Sequence, residues 1–230
     1  MYGRSQPQKG ESNMSQLPTI TCTLNGPYLV KDLEVLQDAH RGRLEAKPVI
    51  ALCRCGGSAN KPFCDGTHQK NGFSGARLAD ARADRCESYP ASNITIHDNR
   101  SICAHSGICT DTLASVFKYK SEPWIDPEGA TAQAIIATVR RCPSGALSYS
   151  LERGDGLEGQ AQTREPSITV MLNGPYAVVG GVQLLEQSRA QGASTEHYTL
   201  CRCGASKNKP FCDGTHASIG FRDEKQQGRV

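Results

Sequence analysis

The chain has 230 residues, 37% of them hydrophobic and 21% charged, with a formal net charge of +3 at pH 7. This length suits two or three small domains, and the balanced charge, with no dense Lys/Arg block between aromatic residues, argues against nucleic acid or an anionic membrane as partner. No stretch reaches the roughly 18 consecutive apolar residues that span a bilayer, and the start lacks the apolar core of a secretory signal, so a soluble, unexported protein is expected.

Residues 1–17 are Gly, Ser, Gln and charge, and read as a disordered tail. A first module is expected over 18–75. In it Ile20, Cys22 and Leu24 alternate like one face of a strand, Asn25-Gly26-Pro27 breaks the run, and Tyr28-Leu29-Val30 resumes it. The module ends in Cys53-Arg54-Cys55-Gly56, Ser58 and Asn60 through His68, which reads Cys-x-Cys-x8-Cys-x3-His. Three thiolates and one imidazole at this spacing satisfy one metal centre. A single residue between Cys53 and Cys55 lets both reach one metal, and Pro62 with Gly66 can fold the second ligand pair back to face the first. Asp65 is placed to accept from the backbone N–H of Thr67 or His68 and so to steady the imidazole.

Residues 83–152 form a different kind of segment. Asn93–His97 alternates like a strand, Thr110–Phe117 predicts a short helix capped by Thr110 or Asp111, and Asp126-Pro127 announces a second helix running to Arg140. Cys103, Cys109 and Cys142 are its spaced cysteines, the last opening Cys-Pro-Ser-Gly-Ala-Leu. Residues 153–165 read as a polar linker, 166–221 as a second module and 222–230 as a frayed tail.

The second module is a copy of the first. At an offset of 148 residues, Ile20–Phe73 lies over Ile168–Phe221 without a gap, and 27 of 54 positions are identical. Cys201, Cys203, Cys212 and His216 repeat the metal spacing, and non-ligand residues such as Lys-Pro-Phe and Asp-Gly-Thr repeat with them. Cys22 meets Val170, which makes it a small apolar residue. Lys31–Ala51 and Val179–Thr199 keep their length but not their composition, as expected of a surface segment. The two repeated spacings hold six of the eleven cysteines, so in a reducing cytosol metal is favoured over disulfides. His40, His97 and His197 lack such a frame and read as surface residues.

The pattern Cys-x-Cys-x2-Ser-x3-Pro-x-Cys-Asp-Gly-x2-His, in both copies, resembles the signature of the CDGSH iron–sulfur domain family, with Thr67 and Thr215 where the family name has Ser. The resemblance implies two [2Fe–2S] clusters, one on Cys53, Cys55, Cys64 and His68 and one on Cys201, Cys203, Cys212 and His216, with Cys53 and Cys55 on one iron and Cys64 and His68 on the other. Spacing alone also fits a structural Cys3His zinc site. Histidine ligation implies a potential above that of all-cysteine centres and a cluster that becomes labile as pH falls.

The middle segment resembles the divergent single-cluster ferredoxins of α+β fold, with Ser106 at the position of a ligand cysteine. Three thiolates suit a [3Fe–4S] cluster, or a [4Fe–4S] cluster whose fourth iron takes Ser106, His105, Cys86 or water. The alternative is a domain that keeps the fold with its cysteines packed as small apolar groups.

Family members with one CDGSH domain commonly pair into dimers with exchanged strands. The chain is therefore expected to be α+β, with two small β-rich modules in an intrachain pseudo-two-fold pair and a ferredoxin-like domain on its side or end, monomeric in solution. The function expected is electron transfer or cluster transfer with a redox or cluster-acceptor protein, in a bacterial cytoplasm, by a non-enzyme. An iron–sulfur subunit of an oxidoreductase and a structural metal protein are the other two readings.

Overall fold

The structure, a computed structural model, describes residues 17–151 and 164–223. The expected N-terminal tail up to residue 16, nearly all of the linker and the expected C-terminal tail from residue 224 therefore lie outside the described residues. The first module supplies strands β1 (Thr19–Cys22), β2 (Tyr28–Lys31), β3 (Val35–Gln37) and β4 (Val49–Leu52). The middle domain supplies β5 (Cys86–Pro90), β6 (Ile94–Asn99), helices α1 (Ile108–Thr112) and α2 (Ala132–Val139), and β7 (Leu147–Leu151). The second module gives β8 (Ser167–Val170), β9 (Tyr176–Val179), β10 (Gln183–Leu184), β11 (Tyr198–Leu200) and the one-turn α3 (Thr215–Ser218).

The two modules exchange strands. One sheet runs β10-β1-β2-β4 and the other β11-β9-β8-β3, so each contains one strand of the opposite copy. The pairing is symmetric: Ile20 stands opposite Leu184 and Leu36 opposite Ile168, both in parallel register. Leu36 and Leu184 are equivalent positions of the repeat, and both are buried. The diverged third of the repeat is exposed over most of residues 39–49, as expected, but it is not surface throughout. It carries the exchanged strand, and its inward leucine is one of two residues kept identical there. Cys22 packs against the edge of this core as an apolar side chain.

Alternation explains the sheets. Tyr28 and Val30 of β2, and Tyr176 and Val178 of β9, point inward with no exposure, while Leu29 and Ala177 between them are half-buried. The two tyrosines meet edge to face at the pseudo-two-fold, ring centroids 6.1 Å apart, an arrangement contributing about 0.5–1.5 kcal/mol beyond area burial.

In the middle domain, β5-β6-β7 form an antiparallel sheet under the helices, and Ile94, Ile96, Phe117, Ile125, Ile135 and Val139 fill its core. Both helices differ from the expectation. The first starts at Ile108, after Gly107 in left-handed conformation (φ 76°), and ends at Thr112. Thr110 does not cap it, because its hydroxyl donates back to the Gly107 carbonyl at 2.9 Å. The second starts at Ala132 behind Thr131, whose hydroxyl accepts from Ala134 N–H. Asp126 is engaged elsewhere, closing a turn to Gly129 and pairing with Lys118 at 2.8 Å.

The middle domain packs on the second module. Asn208 Nδ2 donates to the Ser101 carbonyl at 2.7 Å, Asn99 Nδ2 to the Gln191 carbonyl at 2.8 Å, and the connecting Leu78 N–H to the Lys207 carbonyl at 2.9 Å. His197 also departs from its surface reading. Only 13% of its side chain is exposed, and its Nδ1 sits 2.9 Å from both Ser194 Oγ and Glu196 Oε2.

Candidate metal centres

Each metal loop is hung from the end of a strand. Cys53 N–H donates to the Pro62 carbonyl and Cys64 N–H to the Ala51 carbonyl, both at 2.8 Å, so the two halves of the loop lie side by side. Cys201 and Cys212 repeat these bonds to Pro210 and Thr199 at 2.8 and 3.1 Å. Ser58 stitches the interior, its hydroxyl donating to the Phe63 carbonyl at 2.7 Å and accepting from Asn60 N–H at 3.0 Å, and Ser206 does the same in the second loop.

The donors come together in pairs. Cys53 Sγ and Cys55 Sγ are 3.8 Å apart, and Cys64 Sγ and His68 Nδ1 are 3.4 Å apart. The second loop gives the same two distances for Cys201 with Cys203 and Cys212 with His216. Among the described residues, no three Cys, His, Asp or Glu side chains gather around one ion position. In each pair the two donors are close enough to share one metal, and the same pairing recurs in both loops.

Burial disfavours the free thiolate form of several of these cysteines. Burial pushes the Cys53 thiol up to about 11 and raises Cys103 likewise to about 11; Cys212 is also raised by burial. A thiolate at such places is favoured only beside positive charge, so metal binding would release protons there. Asp65 sits as expected: Thr67 donates to its Oδ1 through hydroxyl and backbone N–H, at 2.6 and 3.0 Å, and Ala59 N–H reaches Oδ2 at 2.7 Å. These bonds hold its carboxyl well below the usual carboxylate range. The threonine at the family's serine position supplies the same hydroxyl. Asp65 thereby fixes Gly66 (φ 88°) and the 3-10 turn Thr67–Gln69 that carries His68.

Three pairs of residues around the loops escaped sequence reasoning as parts of the site. Tyr28 hydroxyl donates toward the Cys201 and Pro210 carbonyls, at 2.9 and 3.0 Å, and Tyr176 hydroxyl toward the Cys53 and Pro62 carbonyls at the same distances, so each module braces the other's loop. Gly56 and Gly204 bring the two loops into backbone contact. Arg54 and Arg202, between the first two ligands, are buried and bond to backbone carbonyls beneath the loops. The available signal was their identity in both copies.

In the middle domain, Cys103, Cys109 and Cys142 line one cavity of about 760 Å³ together with His105, Ser106 and Ser144. Cys86 does not: its Sγ lies against Gly192 of the second module, which removes it as a fourth ligand. Beside the cavity, Arg100 reaches Cys103 Sγ at 3.7 Å, stacks on Trp124 at 4.3 Å, and stands 3.7 Å from Asp98.

Asp98 is 1% exposed; burial, partly offset by Arg100, pushes its pKa up to about 6 from 3.8. The folded state therefore binds a proton that the unfolded chain has released, and stability falls as pH rises from about 4 through 6. Asp98→Asn is expected to raise stability at pH ~7.5 by on the order of 2 kcal/mol, with the gain vanishing toward pH ~4. Urea unfolding at the two pH values checks this; lower stability of the variant at the higher pH would contradict it.

Comparison with known proteins agrees with this geometry. Residues 25–69 and 173–217 match the family described as iron-binding zinc finger, CDGSH type, and residues 89–152 match the one described as divergent 4Fe-4S mono-cluster. Two curated relatives, "Uncharacterized protein YjdI" from Escherichia coli strain K12 and from strain O157:H7, are 37% identical over 65 residues, which is 28% of this chain and 83% of each relative. No solved structure matches. No helix among the described residues is long and apolar enough to cross a membrane.

Proposed function

From a chain that belongs to the CDGSH iron–sulfur family, two such domains flanking a divergent single-cluster domain, we propose a carrier of electrons or clusters rather than an enzyme. Each CDGSH loop would hold a [2Fe–2S] cluster, with Cys53 and Cys55 as one donor pair and Cys64 with His68 Nδ1 as the other, repeated by Cys201, Cys203, Cys212 and His216. The observation that carries this reading is the pairing of donors, 3.8 Å between thiols and 3.4 Å between thiol and imidazole, in both loops.

When bound, such a cluster takes up and returns one electron. The protein's part is to hold the donors and keep the site unchanged as charge comes and goes. Asp65 and Asp213 fix the turn behind each imidazole, and the opposite module's tyrosine fixes the carbonyls behind each thiolate pair. The imidazole is the ligand that protonation can remove, so visible absorbance is expected to decay faster at pH ~6 than at pH ~8. Equal rates would count against histidine ligation.

The middle cavity supports a second form of the same reading, in which a [3Fe–4S] or [4Fe–4S] cluster on Cys103, Cys109 and Cys142 extends a relay toward a catalytic partner subunit. A redox or cluster-acceptor protein in a bacterial cytoplasm is the partner proposed, and the chain itself is taken as a monomer. A spectroelectrochemical titration tests the carrier reading: reversible one-electron steps with the chromophore retained support it. Irreversible bleaching on reduction would remove electron transfer.

A further inference from the structure

Residues Asn60–His68 and Asn208–His216 are identical in sequence, yet they are not equally accessible. In the first loop Asn60 and Asp65 are exposed and Cys64 and Gly66 are half-buried. In the second, Asn208, Cys212 and Gly214 are buried, with Cys212 2% exposed, and Asp213 is half-buried. Both histidines are half-buried, so the difference lies on the Cys-Asp-Gly side of the loop.

The cover comes from the middle domain and the segment leading to it. His105 lies on Gly214 so closely that a methyl group there would come 2.7 Å from its Cγ. The equivalent Gly66 has nothing within 4 Å. Asn208 is tied to the Ser101 carbonyl, and Lys207 pairs with Asp80. His105 also lines the cavity of Cys103, Cys109 and Cys142. It stands in left-handed conformation (φ 52°), which non-glycine residues adopt at a cost and which neighbouring structure must hold.

We infer that the two CDGSH sites are inequivalent: the second is sealed by the middle domain, with His105 as the residue that closes it, and the first is the port at which the chain exchanges with anything outside. This rests on the reading that both loops hold iron–sulfur clusters. His105 is assigned a positioning role, acting through Gly214 on the loop behind it. It also connects the middle cavity to the second loop, so the sheltered site is the one adjoining that domain.

The test uses the full chain as purified, challenged anaerobically with bathophenanthroline disulfonate, a bulky anionic iron(II) chelator, in the presence of excess dithionite, which supplies the electrons that bring the iron to iron(II). CDGSH iron should be lost in two phases of equal amplitude, the slower by roughly tenfold or more, a factor that corresponds to ~1.4 kcal/mol of extra protection. His105→Ala should speed the slow phase alone, His105→Phe should restore it by refilling the space, and Cys64→Ser should abolish the fast phase. Backbone hydrogen exchange gives a readout independent of iron content: residues 211–214 should exchange more slowly than 63–66, and His105→Ala should equalise them. Equal exchange in the two loops, a single phase of iron loss, or acceleration of both phases by His105→Ala would overturn the inference. Absence of iron with unequal exchange would instead overturn the cluster reading and leave the sealed loop standing.

Discussion

Gly204→Ala is expected to destabilise the protein by about 2–5 kcal/mol and to lower the metal content of both CDGSH loops at once. Gly204 has φ 80°, and a Cβ there would stand 2.3 Å from the Cys55 carbonyl oxygen and 2.7 Å from its carbonyl carbon. The obstacle is backbone and cannot swing aside. The left-handed conformation contributes about 1–2 kcal/mol for a residue with a Cβ, and forcing two packed loops apart adds about 1–3 kcal/mol or more. Gly56, facing Cys203 in the same way at 2.5 Å, should behave alike. Gly72→Ala is the control, since it shares the positive φ (67°) with nothing within 4 Å and should show the conformational cost alone. Denaturant unfolding and iron content of the three variants check the prediction. If Gly204→Ala costs no more than Gly72→Ala, the two loops do not touch.

The second large effect separates two arginines that sequence treats as equivalent. Arg202 is 1% exposed, donates to the Gly174 and Met171 carbonyls at 2.7 and 2.8 Å, and pairs with Asp223, itself 2% exposed. Arg54 makes carbonyl bonds to Gly75 and Thr23 at 2.8 and 3.3 Å, but among the described residues its Nε has no hydrogen-bond partner and no carboxylate pairs with it. The reason is that the position equivalent to Asp223 is Gly75. Arg202→Met leaves a buried carboxylate alone and is expected to cost about 3–5 kcal/mol. Arg54→Met leaves only carbonyls unpaired and should cost about 1–3 kcal/mol. Adding Asp223→Asn to Arg202→Met should recover part of the loss, because the orphaned charge is gone. Urea midpoints of the four proteins measure this; equal costs for the two arginines would show that the ion pair contributes nothing.

Asp223 also marks where local pattern misled. Read from sequence, residues 222–230 are a polar tail expected to fray; of the two described, Asp223 donates its N–H to Asn173 Oδ1 at 2.9 Å and Arg202 holds its carboxylate. A charged residue near a chain end reads as solvated unless its partner, 21 positions away, is known to be buried.

Much else was legible for physical reasons. The ligand loops were readable because a metal centre demands fixed donor spacing, and the repeated Ser58, Pro62 and Asp65 showed that the loop's hydrogen bonds were demanded too. The strands followed from alternation around Tyr28 and Tyr176. Their exchange was implied by the family's paired modules and by two copies sharing one chain. Which strands cross was hidden, because β3 and β10 share little except Leu36 and Leu184, and a short strand needs only one inward residue to fix its register. The helices of the middle domain were misplaced where Thr110 and Asp126, plausible caps by type, were already bonded to other groups. The unequal cover of the two loops could not be read at all, since nine identical residues differ only in what packs on them.

Both CDGSH loops are proposed to hold two-iron clusters with two donors per iron. Iron and acid-labile sulfide counting after anaerobic purification, with visible and electron paramagnetic resonance spectra before and after dithionite, tests this most directly. At least about four irons and about four sulfides per chain with a [2Fe–2S] spectrum are expected, rising to about seven or eight irons with an added [3Fe–4S] or [4Fe–4S] signal where the middle cavity is filled. A colourless protein carrying about one zinc per CDGSH loop and no sulfide would contradict it.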